Sequence, residues 1–319
     1  MTRVAAVDCG TNSIRLLIAD VDDAGTLVDV ERDMKVVRLG QGVDATGEFA
    51  PEAIERVRVE LAGYVDRMVA AGVERVRMVA TSATRDARNR DAFFDMTAEL
   101  LGRVQPGCVA EVITGDEEAR LSFRGAVGGL DPADGPFVVT DLGGGSTEVV
   151  VGSVSRGEAV VAGAYSADIG CVRLTERALP SDPPMLEERV RAEAIAAEEL
   201  AKAFDAVDVS LARTWVGVAG TLTTFAAVHA GLTEYDPEVI HHSRISLADL
   251  HVLCGKIAAM TVDERMTLGP MHPGRADVIG GGALVTRELA RQFADRAGIT
   301  EMVVSEHDIL DGIALGLVP

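Results

Sequence analysis

The chain has 319 residues, which suits two domains better than one, and 48% of them are apolar, enough for a substantial core. Its net charge is −20, which argues against a general nucleic-acid or membrane-surface binder, because both need basic patches. No apolar run approaches the length of a membrane span, and Asp8 interrupts the N-terminus too early for a signal peptide, so we expect neither.

The cysteines indicate the compartment. Cys9, Cys108, Cys171 and Cys254 show no CxxC spacing, so the sequence contains neither a zinc signature nor a disulfide signature. We therefore expect buried free thiols in a protein of the reducing cytoplasm.

Strands and helices alternate in the first part of the chain, which predicts an α/β fold. We predict strands at Val4–Val7 and Ser13–Asp20 around the turn "DCGTNS", and a third strand at Val36–Leu39. A helix is predicted from Pro51, with Gly72 as its stop signal. Further predicted elements are a strand at Val76–Ala80 with a polar turn and a helix after it, then a strand, a turn at Gly115–Asp116 and a helix from Glu117.

The turn-rich segment Asp131–Pro136 is a predicted domain boundary, because the opening pattern restarts after it. Strands at Val138–Thr140 and Glu148–Val151 enclose a glycine-rich turn. The later predicted elements are a long helix at about Pro184–Phe204, the strand "TWVGVAG" with the turn "GTLTT", the helix "MHPGRADVIGGGALVTRELARQF", the strand "ITEMVVSE" and the helix "HDILDGIALGL".

The strongest feature of the sequence is this internal similarity. Asp8 and Asp141 each end a strand at a turn rich in Gly, Thr and Ser. The similarity predicts two related halves that face each other across a cleft. We expect a first domain at residues 1–127 and a second at 128–305, with a C-terminal helix at about 306–319 that packs on the first domain.

Both turns have the composition of a phosphate-binding site. Glycines let backbone N–H groups converge on an anion, and hydroxyl and amide side chains add donors. Neither turn is a Walker loop or a dinucleotide-binding fingerprint. The alternative is two ordinary hairpin turns. The candidate phosphate-binding residues are Gly10, Thr11, Asn12 and Ser13 in the first turn, and Gly143, Gly144, Gly145, Ser146 and Thr147 in the second.

A carboxylate beside a bound phosphate would repel it unless a cation lies between them. Mg²⁺, held by one or two carboxylates and by phosphate oxygens, resolves this conflict. Asp141 is the first candidate ligand, and Asp8 and Glu148 are weaker candidates, directly or through water.

The segments "VAAVDCGTNSIRLLIAD" and "VTDLGGGSTEVVVG" resemble the two phosphate motifs of the actin-like ATPase superfamily, and "VAGTLTTFAA" resembles its adenosine-side motif. Within it, the chain resembles the exopolyphosphatase/guanosine pentaphosphate phosphatase (Ppx/GppA) family along almost its whole length. The segments that carry this match are "ATSATRDARN", "ITGDEEARL", "DIGCVRLTE" and "SEHDILDGIALGL". Longer members have a further C-terminal helical domain, so the chain resembles the short form.

The resemblance implies two actin-like (ribonuclease H-like) domains and a catalytic glutamate at Glu118. From the residues alone, Glu117 and Glu118 are better explained as acids at a helix start; the resemblance reverses this for Glu118, and only mutation excludes Glu117. The resemblance also places Arg85 near the phosphate chain and Gly220 and Thr221 at the far side of the cleft. For Arg85 and Arg88 the alternative is a surface ion pair with Asp86 or Asp91.

Other residues are weaker candidates. Arg275 is a candidate for the path of a polyanion. His241, His242 and His272 lack the spacing of a metal site, and we expect them to be ordinary surface or core histidines.

The resemblance implies an exopolyphosphatase that releases orthophosphate from the ends of inorganic polyphosphate, with Mg²⁺ as cofactor and a homodimer as assembly. The first alternative is removal of the 5′ γ-phosphate of pppGpp, which breaks the same type of bond. A kinase of the same fold is a second alternative, and a nucleotide-switched chaperone or filament protein is a third.

Overall fold

The computed structural model describes residues 1–22 and 25–318. The chain forms two compact units, Met1–Leu121 with Ile309–Pro319, and Ser122–Asp308. The chain therefore leaves the first unit once and returns to it for the C-terminal helix. The turn at Asp131–Pro136 belongs to the second unit.

The first unit is an α/β structure. Its elements are β1 (Thr2–Cys9), β2 (Ser13–Val21), β3 (Leu27–Val36), α1 (Val43–Thr46), α2 (Pro51–Ala71), β4 (Arg75–Ala80), α3 (Ser82–Asp86), α4 (Asp91–Leu101), β5 (Glu111–Val112), the start of α5 (Gly115–Val127) and, from the end of the chain, α13 (Ile309–Leu315).

The five strands of the first unit form one sheet in the order β3-β2-β1-β4-β5. The strands β1, β2 and β3 are antiparallel, whereas β4 and β5 run parallel to β1. Buried side chains of α2 and α4, such as Leu61 and Phe93, pack with one set of sheet residues. Ile309 and Ile313 of α13 pack with a second set. The sheet is therefore covered on both faces, as expected for parallel strands.

The second unit is larger. Its elements are β6 (Phe137–Leu142), β7 (Thr147–Ser155), β8 (Glu158–Ala167), α6 (Cys171–Ala178), α7 (Leu186–Ala206), β9 (Thr214–Val218), α8 (Ala219–His229), α9 (Pro237–Ile240), β10 (Arg244–Ser246), α10 (Leu247–Ala259), α11 (Val262–Met266), α12 (Ile279–Ala297) and β11 (Glu301–Val304), with short 3-10 turns at Pro132–Asp134 and Pro273–Arg275.

The sheet of the second unit repeats the plan of the first. Its six strands lie in the order β10-β11-β9-β6-β7-β8. The strands β6, β7 and β8 form an antiparallel meander, and β9 and β11 run parallel to β6. Therefore β6, β7 and β8 correspond to β1, β2 and β3, and the two glycine-rich turns occupy equivalent places. The predicted α/β class is confirmed.

Two predicted elements are wrong. The third strand lies at Leu27–Val36 and not at Val36–Leu39, because β3 is an edge strand in which no residue is buried, so it lacks the alternating pattern of a half-buried strand. The segment "GTLTT" is not a turn. It forms the start of α8, where Leu222, Phe225 and Ala226 recur at helical spacing and are all buried.

The helix predicted from Pro51 is confirmed, and it ends at Gly72 in a left-handed conformation with φ of 69°. Within the described part of the chain, no helix has both the length and the apolarity that a bilayer crossing requires.

Candidate functional site

The first glycine-rich turn joins β1 to β2. Gly10 N donates to Ser13 O at 2.9 Å, which closes the turn. The Thr11 hydroxyl is buried and has no hydrogen-bond partner within residues 1–22 and 25–318. A buried hydroxyl without a hydrogen bond costs free energy. A bound anion would remove this cost by accepting a hydrogen bond from Thr11.

The second turn joins β6 to β7 and has the same geometry. Gly143 N donates to Ser146 O at 3.1 Å, as Gly10 N does to Ser13 O. The Thr147 hydroxyl donates to Ile169 O at 2.6 Å, so this side chain is used within the unit. The turns of the two units are thus related in their hydrogen bonds as well as in their sequence.

The residues that flank the turns differ in charge. Asp8 faces Arg15 across the β1–β2 ladder, and Arg15 Nη2 lies 2.7 Å from Asp8 Oδ2. At the equivalent positions of the second unit, Asp141 faces Glu148. An aspartate is therefore balanced by an arginine in the first unit and opposed by a second carboxylate in the other.

Both carboxylates of the second unit are buried, with Asp141 6% and Glu148 1% exposed. Asp141 Oδ2 accepts a hydrogen bond from Ser122 Oγ at 2.5 Å, and Glu148 Oε1 accepts one from Ser166 Oγ at 2.6 Å. Directly opposed like charges destabilise an antiparallel pair, and their side chains lie on the same face of the sheet. This donor set fits a hard divalent cation, which prefers carboxylate oxygens.

In the described residues, no group of three or more His, Cys, Asp and Glu side chains is arranged to hold a metal ion. Asp8 is ion-paired with Arg15, so its oxygens are less suited than those of Asp141 and Glu148 to a metal.

Glu118 lies in the first turn of α5 and is 7% exposed. Arg85 Nη1 donates to Glu118 Oε2 at 2.7 Å and to Ile113 O at 3.1 Å. The predicted alternative for Arg85 was a surface ion pair with Asp86 or Asp91, and the structure shows an ion pair of Arg85 with Glu118. The glutamate that the resemblance assigned to catalysis is therefore in direct contact with the arginine that it placed near the phosphate chain.

Glu117 has different surroundings. Its side chain is 43% exposed and pairs with Arg77, whose Nη2 lies 2.6 Å from Glu117 Oε1. Arg77 also pairs with Glu111. Arg88 is largely exposed, near Glu48 at 3.6 Å. Burial and the contact with Arg85 thus distinguish Glu118 from its neighbour.

Ser122 was not predicted from the sequence. It follows Glu118 by one turn of α5, so the two side chains lie on the same face of the helix. Glu118 bonds to Arg85 of the first unit, and Ser122 bonds to Asp141 of the second. The spacing of Glu118 and Ser122 within a predicted helix was the signal that could have identified the serine. Arg15 was also missed, although it follows Asp8 at the spacing with which Glu148 follows Asp141.

Gly220 and Thr221 lie in the first turn of α8, directly after β9. The preceding Ala219 has a positive φ of 69°, unusual for alanine. A Cβ on Gly220 would lie 2.0 Å from Arg275 Nη2, and Arg275 Nη1 donates to Thr224 Oγ1 at 2.8 Å. The structure therefore brings the guanidinium of Arg275 against Gly220, where a Cβ would displace it, and leaves Thr221 buried in the helix.

The histidines do not form a metal site in the described part of the chain. The rings of His241 and His242 stack with centroids 3.7 Å apart, and His307 stacks on His241 at 4.7 Å. His272 Nδ1 accepts a hydrogen bond from Gly274 N.

Comparison with known proteins gives a consistent result. The family model described as "Ppx/GppA phosphatase family" matches residues 17–316. The chain is 60% identical over 320 residues to a protein of Mycobacterium tuberculosis (strain ATCC 25618 / H37Rv) named "Exopolyphosphatase 2", with 99% of each chain covered.

Two solved structures are similar over nearly the whole chain. A protein described as exopolyphosphatase-like has a TM-score of 0.90 at 43% identity, with 99% of this chain and 97% of that chain covered. The Ppx/GppA family member of Aquifex aeolicus has a TM-score of 0.77 at 32% identity, again with 99% and 97% covered. The predicted fold class, an α/β protein with two actin-like units, is confirmed by these matches.

Proposed function

The chain belongs to the Ppx/GppA phosphatase family, and we propose that it is an exopolyphosphatase, which releases orthophosphate from the ends of inorganic polyphosphate. The observation that carries this proposal is the buried Glu118 carboxylate held by Arg85. The choice of polyphosphate as substrate is supported by the name of the M. tuberculosis protein, which is 60% identical over its full length.

Glu118 acts as the general base in this proposal. It accepts a proton from the water that attacks the terminal phosphorus in line. Its negative charge is balanced by Arg85, whose Nη1 binds the Oε2 oxygen of the carboxylate and so fixes its orientation. Arg85 is also positioned to stabilise negative charge that develops on the phosphate oxygens.

The glycine-rich turns bind the phosphate groups. The backbone N–H groups of Gly10–Ser13 and Gly143–Thr147 are the donors, and the Thr11 hydroxyl, which has no partner within residues 1–22 and 25–318, adds another. In the second unit, Gly220, Thr221 and Arg275 also bind phosphate groups of the substrate. Backbone donors suit a polyanion because they contact oxygen atoms and require no particular base or sugar.

Mg²⁺ is the proposed cofactor, held by Asp141 and Glu148. When bound, it supplies positive charge that offsets the charge of the phosphate oxygens. Ser122 and Ser166 orient the two carboxylates through the hydrogen bonds that they donate. Asp8 is a weaker ligand because Arg15 neutralises it.

The proposal is tested by orthophosphate release from short polyphosphate, long polyphosphate and pppGpp, each with Mg²⁺ and with a chelator. Release from polyphosphate that requires Mg²⁺ is expected. Release from pppGpp alone would replace the proposed activity by the 5′-phosphohydrolase. ATP consumption that requires a small-molecule acceptor would indicate a kinase, and polymerisation on nucleotide without turnover would indicate a non-enzyme.

A homodimer and a cytoplasmic location complete the proposal. The edge strand β8 has no charged residue from Ala159 to Ala167, whereas the edge strand β3 carries five, Asp29, Glu31, Arg32, Asp33 and Lys35. An uncharged edge strand is open to pairing with another strand, and a second copy offers an identical edge. The four cysteines are free thiols, which suits a reducing compartment. Light scattering on the purified protein and fractionation of cells test these two statements.

A further inference from the structure

Two consecutive carbonyl groups of the first turn, those of Thr11 and Asn12, are bonded to one neighbouring segment. Gly40 N donates to Thr11 O at 2.8 Å, and Val37 N and Arg38 N donate to Asn12 O at 3.0 and 2.8 Å. The segment Val37–Gly40, which we call the clasp, therefore holds two consecutive carbonyls of the turn.

This arrangement fixes the direction of two N–H groups. In a planar trans peptide the C=O and N–H bonds point in opposite directions. Because Thr11 O and Asn12 O point into the clasp, the N–H groups of Asn12 and Ser13 point away from it. Carbonyl oxygens that pointed toward a phosphate would repel it. The clasp directs the carbonyls of Thr11 and Asn12 to the opposite side and so aligns the N–H donors.

The second turn shows the same arrangement with different residues. Gly143 O accepts from Cys171 N at 3.0 Å, and Gly144 O accepts from Val172 N and Arg173 N at 2.9 and 3.0 Å, all at the start of α6. Gly145 O accepts from Arg173 Nε at 2.7 Å. In both units, therefore, carbonyl groups of the turn accept hydrogen bonds from a neighbouring segment. The N–H group that follows each of these carbonyls points away from that segment.

The clasp is held in turn by Arg56 of α2. Arg56 Nε donates to Val37 O at 2.6 Å, and Arg56 Nη2 donates to Arg38 O at 3.2 Å. Within the described residues, Arg56 forms no ion pair. Its guanidinium donates hydrogen bonds to backbone carbonyls and not to a carboxylate. Charge-assisted bonds of this kind are stronger than neutral ones.

The clasp needs this support because its backbone is constrained. Arg38 has φ of 49°, in the left-handed region that a residue with a side chain rarely adopts. A Cβ on Gly40 would lie 2.3 Å from Thr11 Cγ2 and 2.9 Å from Ala83 Cβ, so only glycine permits this close approach. The conformation of the clasp is thus maintained by its contacts and not by local preference.

We propose that Arg56 is a positioning residue for phosphate binding, which acts through the clasp to aim the N–H groups of Asn12 and Ser13 at the substrate. The inference deepens the proposed function and rests on it, since it assigns a purpose to the turn that binds phosphate. Arg56 itself touches neither substrate nor the reacting atoms.

The test uses Arg56→Ala, the conservative Arg56→Lys and the control Arg58→Ala. Arg58 lies on the same helix, and its side chain pairs with Glu55, so its loss leaves the clasp intact. With long polyphosphate as substrate, Arg56→Ala is expected to raise KM about tenfold with kcat changed less than about twofold, since two charge-assisted bonds are lost. Arg56→Lys should restore part of the loss, and Arg58→Ala should match the parent protein.

A second measurement does not depend on activity. Hydrogen exchange of the segment Cys9–Arg15 should be faster in Arg56→Ala than in Arg58→Ala, and polyphosphate should protect it less. Equal exchange in Arg56→Ala and Arg58→Ala would overturn the inference. So would a rise in KM that is the same in other variants with an equally lowered melting temperature. If the parent protein released no orthophosphate from polyphosphate, the proposed function would fail while the exchange result still decided the role of Arg56. If Arg56→Ala did not fold, the same comparison is made with Arg56→Lys.

Discussion

Asp141 and Glu148 face each other directly across the β6–β7 ladder, and both carboxylates are buried. The equivalent pair of the first unit is Asp8 and Arg15, which neutralise each other. The two related hairpins therefore differ at equivalent positions. The first has an ion pair, and the second has two adjacent carboxylates. We propose that a divalent cation supplies positive charge beside the second pair.

The first prediction follows from this pair. Asp141→Asn and Glu148→Gln should each raise the Mg²⁺ concentration needed for half-maximal orthophosphate release, whereas Asp8→Asn should change it less. Without Mg²⁺, Glu148→Gln should raise the melting temperature, because about 1 kcal/mol of like-charge repulsion is removed. Thermal unfolding with and without Mg²⁺ measures this. A Mg²⁺ dependence that is unchanged in both folded variants would refute the assignment.

The second prediction concerns the two adjacent glutamates of α5. Glu118→Gln should lower kcat by about 10²–10⁴, the range expected for a removed general base, and keep the fold because glutamine still accepts the bond from Arg85. Glu117→Gln, which removes an exposed ion pair with Arg77, serves as the matched control and should retain most of the activity. Steady-state kinetics on both variants decides the matter. The opposite result, with Glu117→Gln inactive, would move the base by one residue.

The sequence predicted those parts of the site that local pattern determines. The helix α2 has its start and stop signals in the chain itself, at Pro51 and Gly72. The two turns carry their own glycines and hydroxyls. The pairing of Asp141 with Glu148 could also have been obtained, because a hairpin fixes which residues face each other.

Other parts depend on contacts between residues distant in the sequence. The clasp bonds to a turn that precedes it by a whole hairpin, and Arg56 reaches it from α2, so no local pattern contains this arrangement. The edge strand β3 was misplaced because none of its residues is buried, and burial is what produces an alternation of apolar and polar residues.

The third prediction concerns pH. Burial lowers the pKa of His242 from its ordinary value of 6.5, and the charges of His307 and Arg244 lower it further. As the pH falls, the unfolded chain therefore binds a proton at His242 at a higher pH than the folded chain does. The free energy of unfolding consequently decreases as the pH falls below about 6.5. Replacement by asparagine, which tolerates the φ of 61° at this position, should reduce the fall in melting temperature between pH 7.5 and 5.5.

The control for this prediction is His229→Asn, since His229 is exposed at the end of α8. Thermal unfolding at a series of pH values compares the two variants with the parent. An equal dependence on pH in all three proteins would show that His242 does not contribute.

The fourth prediction concerns the encounter of a protein of net charge −20 with a polyanion. Whole-molecule repulsion is screened by salt, with a Debye length of about 8 Å near physiological ionic strength, whereas contacts within the site are screened less. The association rate of long polyphosphate with Glu118→Gln should therefore rise or stay constant as monovalent salt increases at fixed free Mg²⁺. Stopped-flow binding measures it. A steep fall would indicate a continuous basic path that includes Arg85 and Arg275.

The central claim is that water, activated by Glu118, attacks the terminal phosphorus of polyphosphate. Hydrolysis of long polyphosphate in water enriched in oxygen-18, followed by mass spectrometry of the products, tests it most directly. The account predicts orthophosphate as the only small product, with one labelled oxygen in each molecule and no label in the shortened chain, and almost no product from Glu118→Gln. Short oligophosphates among the small products at low conversion, label at the new chain end, or labelled orthophosphate from Glu118→Gln at the parent rate would contradict it.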